Sequence, residues 1–147
     1  MIKTNDSIRY QNVLTQKRKF HYTDMQEALE DFLKKVDESG CKKVGPLCYA
    51  LHNIPTDEMT EIEFFMPVRE YDVQSKDLQF NSYYAIEDML STYVFGDYEL
   101  NMEMAYSALV EFMRAAKLES VTPFYHVVDR ERRYIKVMLG YRGEKQD

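Results

Sequence analysis

Tryptophan is absent from this chain of 147 residues, and glycine, proline and cysteine are scarce at Gly 5, Pro 4 and Cys 2. With so few glycines there is no phosphate-cradling loop, no G-x-G-x-x-G turn and no G-x-S-x-G elbow. Two cysteines, Cys41 and Cys48, make no disulfide framework, and without a secretory leader they read as reduced thiols in the cytoplasm. No apolar run nears the roughly 20 residues of a membrane span, and Met1-Ile2-Lys3-Thr4-Asn5-Asp6 has no apolar stretch of a signal peptide. His21, His52 and His126 show no metal-ligand spacing, so neither a metal nor a cofactor is expected. Net charge is −6, which argues against nucleic acid, since that partner demands a concentrated positive footprint. Lys17-Arg18-Lys19 and Arg130-Glu131-Arg132-Arg133 are short basic clusters suited to solvated strand ends or turns.

What is abundant is aromatic and internally similar. Tyr 12 and Phe 8 bring aromatics to 14% of the chain, while the hydrophobic 45% and charged 30% are ordinary for a globular protein. Tyrosine offers flat apolar area with one polar end, suited to a pocket or an interface, but also to any sheet. Ala28-Leu29-Glu30-Asp31-Phe32-Leu33, then Gly45-Pro46-Leu47-Cys48-Tyr49, then the run 62–68, are matched later in the chain. Their counterparts are Ala108-Leu109-Val110-Glu111-Phe112-Met113, then Thr122-Pro123-Phe124-Tyr125-His126, then the run 134–139.

The elements follow from spacing. A strand is predicted over 8–20. A helix then starts at Met25, with Thr23 or Asp24 as N-cap and Glu27 placed for a capping box, and Gly40 closes it. Strands follow at 47–51 and 61–68, separated by a loop with Pro55, Thr56 and Asp57. A charged connection spans 69–78, a strand 83–95 and a second helix 101–116 with Met104, Ala105, Ala108, Leu109, Phe112 and Met113 on one face. A hairpin of 124–129 and 133–141 turns at Asp129-Arg130-Glu131, and 143–147 is a polar tail. The expected fold is α+β: a tandem pseudo-repeat of strand–helix–strand–strand modules. It has an antiparallel sheet, two main helices on one face and a cleft between modules. The chain reads as a single domain, 1–147, with module one over about 8–68 and module two over about 80–141.

Gly96-Asp97-Tyr98, Ala105-Tyr106, Leu109 and Pro123, with Gly45-Pro46 and Glu63-Phe64-Phe65-Met66-Pro67-Val68 before them, carry a family pattern in order and spacing. The chain resembles the GyrI-like small-molecule-binding domain, the effector-binding domain of some bacterial transcription activators. The resemblance implies a ligand cleft between modules, in a stand-alone and divergent member. It also implies a glutamate just after the second-module proline, where this chain has Phe124-Tyr125-His126 instead, so either Tyr125 or His126 takes that place. Without that acid, cationic-drug binding and glutamate-dependent hydrolysis both lose their main support.

Ligand-binding candidates are Tyr49, Glu63, Phe65, Tyr83, Tyr84, Tyr125, His126 and Tyr134. Strand alternation turns Ile62, Phe64 and Met66 under a helix and Glu63 to the other face, where it serves a ligand or makes a cross-strand ion pair, for example with Lys136. Tyr49 and His126 hold matching places after their prolines. With Tyr125 and Tyr134 they form an aromatic wall, or else pack in the sheet. Tyr83 or Tyr84 faces the ligand side. An acid–base pair of His126 with Glu63 is the sole catalytic arrangement to consider, and no catalytic residue is assigned. The resulting expectation is a cytoplasmic binder of a small organic, aromatic molecule, with a homodimer compatible. The alternatives are a protein-interaction or immunity-like accessory module and, last, a small-molecule hydrolase.

Overall fold

The computed structural model describes residues 1–52 and 57–144. Pro55, Thr56 and the tail residues Lys145, Gln146 and Asp147 lie outside the described residues. The elements in chain order are β1 (Lys3–His21), α1 (Met25–Glu38), β2 (Cys48–Leu51), β3 (Met59–Pro67), β4 (Gln79–Val94), α2 (Tyr98–Ala115), β5 (Leu118–Val128) and β6 (Ile135–Gly143). This is the α+β arrangement expected. The chain divides into two compact units, one of Arg9–Ala85 and one of Met1–Ile8 with Ile86–Asp147.

In the first unit β3 lies between β1 and β2, antiparallel to both: Thr15 pairs with Phe65 and Cys48 with the same Phe65. In the second unit β6 lies between β4 and β5 in the same way, with Ser91 and Tyr125 both opposite Met138. Each unit is therefore strand–helix–strand–strand with its third strand in the middle. Asn12 (φ 60) and Asp88 (φ 55) each take the left-handed conformation one residue before the paired segments that begin at Val13 and Met89. Asn and Asp reach that conformation at lower cost than other side chains.

The strands of each unit bury one face under that unit's own helix. Phe32 of α1 stacks on Phe64 of β3 with ring centroids 5.3 Å apart, and Ala28 and Val36 flank it at helical spacing. Leu109 of α2 sits at 0% exposure among Leu90, Val137 and Leu139, with Ala105 and Met113 one turn to either side. Two expectations fail here. Asp24 is the N-cap of α1 but its side chain makes no cap bond. The imidazole of His21 instead accepts from the Thr23 N–H at the start of the preceding short 3-10 turn. On α2 the buried face is turned from the one expected: Met104 is 61% exposed and Ala108 is exposed, while Met102 and Tyr106 reach the core.

At the start of the two central pairings the units solve one packing problem in opposite ways. A Cβ on Gly45 would stand 2.7 Å from the Pro67 ring, and a Cβ on Gly140 would stand 2.5 Å from the Thr122 methyl. Gly45 and Thr122 both precede a proline, and Pro67 and Gly140 are matched by register. One glycine is needed in each pair, in the bend before β2 in the first unit and on β6 in the second.

Candidate functional site

On β3 the alternation puts Ile62, Phe64 and Met66 beneath α1 and Glu63 and Phe65 on the opposite face. The Tyr84 ring lies 4.8 Å from that of Phe65, so Tyr84 and not the 64% exposed Tyr83 joins this face. Cys48 and Ala50 share it through their pairing with Phe65 and Glu63. Tyr10 meets Cys48 there, and burial followed by the neighbouring thiol pushes its hydroxyl pKa far up. Glu63 bonds the His52 imidazole at 2.9 Å, with side-chain exposures of 22% and 25%. Lys17 is its cross-strand neighbour. Lys136, the ion-pair partner considered for Glu63, is bound to Asp6 at 2.6 Å instead.

Tyr49 and His126 do occupy matching positions, and both point toward helices. Tyr49 packs against the α1 cluster. His126, at 1% exposure, has its Nε2 2.5 Å from the Tyr106 hydroxyl of α2. Burial first, then the Glu103 charge, pushes the Tyr106 pKa up to about 12. Tyr125, 4% exposed, takes the face away from α2. The aromatic wall of Tyr49, Tyr125, His126 and Tyr134 is thus split between sheet faces. Tyr134 instead meets Tyr93 edge-on at 5.1 Å and Phe95 at 5.9 Å. The imidazole partner of Glu63 is His52 rather than His126.

Away from α2, Asp6 accepts from the Ser91 hydroxyl at 2.7 Å as well as pairing with Lys136, whose ammonium lies 5.9 Å over the Tyr93 ring. Burial pushes the Asp6 carboxyl up, but the bonds from Lys136, Ser91 and the Ser7 N–H outweigh it and leave the pKa lowered. Among the described residues no cluster of three or more His, Cys, Asp or Glu is placed to hold a metal. Sequence reasoning passed over His52, Tyr10 and Cys48. For His52 and Cys48 the signal was parity, since they stand two residues after and before Ala50, which pairs with Glu63. Tyr10 lies beyond the left-handed Asn12, which breaks the alternation of β1.

Comparison with known proteins places this geometry in a family. The model of the Domain of unknown function (DUF5085) matches residues 9–140, and the chain belongs to that family. A search of curated proteins gives no match. Among solved structures the fold is similar to the EcmrR C-terminal domain, at 10% identity and a TM-score of 0.73 over 97% of this chain and 99% of that one. Against EcmrR in its DNA complex the TM-score is 0.69, and the match spans 58% of that chain. A hydrolase from Listeria innocua matches at 10% identity and a TM-score of 0.62, over 97% and 90% of the two chains. SAV2435 bound to tetraphenylphosphonium matches at 10% identity and a TM-score of 0.52, over 97% and 93%. The architecture fits the GyrI-like fold. At this identity the likeness is one of fold.

Proposed function

We propose that the chain is a GyrI-like binding domain for a small aromatic organic molecule, recognised on the face of β3 turned away from α1. The observation that carries this is the pairing of chemistry on one face: the partly exposed carboxylate of Glu63 beside the Phe65–Tyr84 aromatic corner. An aromatic surface with one carboxylate suits a planar ligand that carries a donor or a positive charge. His52 holds the carboxylate in place and can yield it to a ligand. Phe65 has 0% exposure and supports Tyr84 rather than meeting the ligand. The fold shared with the EcmrR C-terminal domain and with SAV2435, which is bound to tetraphenylphosphonium, lends support by fold alone.

Cys41 and Cys48 are free thiols, which supports a reducing, cytoplasmic setting. A hydrolase reading would lean on His126 with Tyr106, but that imidazole is 1% exposed and serves packing.

The test is native mass spectrometry of the purified protein, followed by titration with a panel of cationic, neutral and anionic aromatic compounds. Glu63→Gln is expected to weaken the cationic members about tenfold, the loss of one charge-assisted contact, and Tyr84→Leu to weaken all binders. Tyr83→Ala should leave them unchanged. Equal binding by wild type, Glu63→Gln and Tyr84→Leu would overturn the assignment.

A further inference from the structure

The two helices hold equivalent places in their units, yet their solvent faces differ. The exposed positions of α1 are Gln26, Glu27, Glu30, Lys34, Asp37 and Glu38, all polar. On α2, Leu100 is 58% exposed and Met104 61%, and both lie opposite the buried Ala105, Leu109 and Met113. A solvated helix is ordinarily apolar on one side only, as α1 is. The outer apolar side of α2 stabilises nothing within its own unit.

That side has a defined relief. Leu100, Met104 and Ala108 form one row at four-residue spacing, and Glu103, Ser107 and Glu111 form the adjacent row. Between them runs a shallow groove of about 420 Å³ lined by Glu103, Met104, Ser107, Ala108 and Glu111. A groove between two such rows is the complement of a single side-chain ridge at four-residue spacing, the commonest way one helix packs on another. The small Ser107 and Ala108 form its floor, where a bulky side chain from outside can seat.

The charges select the occupant. Glu103 makes no ion pair among the described residues. Glu111 pairs with Arg114 at 2.8 Å, with side chains 66% and 72% exposed, an exchangeable surface contact. A second copy would bring another acidic row against this one, on chains of net charge −6. An anionic lipid surface meets the same repulsion. We propose that the outer face of α2 is a docking site for a helix of another protein, one presenting a Leu, Ile, Phe or Met ridge flanked by Lys and Arg. The surface belongs to the unit of 86–147 and the proposed ligand site to that of 9–85, and either proposal can fail without the other.

The experiment uses three synthetic helical peptides of equal length against the full chain. One carries a Leu ridge at four-residue spacing with Lys flanks, the second the same ridge with Glu flanks, and the third the Lys composition scrambled off the ridge. Affinity is read by fluorescence anisotropy, and position by backbone amide shifts. The Lys-flanked ridge peptide is expected to bind with shifts centred on 103–111, and at least about tenfold tighter than the other two. Ala108→Gln, which fills the groove, and Glu103→Lys with Glu111→Lys, which reverses its rim, should each weaken it about tenfold. All three positions are exposed, so circular dichroism melts serve as the folding control. Equal binding of the scrambled peptide, shifts mapping elsewhere, or indifference to both variants overturns the proposal. A concentration-dependent dimer abolished by Ala108→Gln overturns it too, by making the occupant a second copy.

Discussion

Asp6 shows how much can rest on one side chain. Its carboxylate is 11% exposed and joins Lys136 and Ser91, so Asp6→Asn breaks a nearly closed pair and is expected to cost about 1–3 kcal/mol in urea unfolding at neutral pH. The folded pKa is lowered, so this stability is complete above the ordinary carboxylate range near 3.9 and is lost as pH falls through the lowered folded value. Wild type should therefore lose more stability than Asp6→Asn between about pH 5 and 3, the window of that linkage. Parallel decline in both would refute the pairing. At Tyr106 the sign runs the other way: its pKa is raised to about 12, and its contribution holds below the ordinary value of 10.0 and fades as pH climbs through the raised one. Tyr106→Phe should cost about 1 kcal/mol and remove one late-ionising tyrosine from an ultraviolet pH titration. At this scale the sequence revealed that Tyr49 and His126 correspond, but not which face they take. A single residue of register decides that, and β5 shifts register between Ser120 and Phe124.

Among the elements, the opposed glycines make a sharper prediction. Gly140→Ala drives a Cβ into Thr122 and should cost about 1–3 kcal/mol, as overpacking does. Gly143→Ala meets nothing within 4 Å and should be close to neutral. Thr122→Gly loses the hydroxyl that accepts from the Gly140 N–H at 2.8 Å. Combined with Gly140→Ala it recreates the arrangement of Gly45 and Pro67, so the double variant should be more stable than the sum of the two changes, by about 0.5–3 kcal/mol. Additivity would show that the contact is not a tight one. Strand and helix order was legible because each periodicity had a turn residue at its end. The core side of α2 was not, because Leu100, Met104 and Ala108 give that helix apolar residues on both sides, and periodicity cannot choose between two apolar stripes.

For the whole molecule, two cores predict two patterns of protection. Phe32→Ala, removing a ring stacked on Phe64, should cost about 3–5 kcal/mol. In hydrogen exchange its effect should concentrate in 9–85, with Leu109→Ala acting chiefly on 86–143. Uniform loss of protection from both would mean the cores unfold as one. The repeated order of elements was readable in advance, whereas the allegiance of the first eight residues was not. They join 86–147 through polar bonds, from Asp6 to Lys136 and Ser91, from the Thr92 hydroxyl to the Met1 carbonyl, and from the Tyr141 hydroxyl to Asn5. Hydrophobic pattern carries no trace of such bonds.

That allegiance has a consequence for birth on the ribosome. Met1–Ile8 are made well before the partners they need, from Ser91 to Tyr141. At roughly 5–20 residues per second, translation keeps this segment waiting on the order of ten seconds while the intervening unit is produced and folds. A segment made before the 9–85 unit is thus settled only after it.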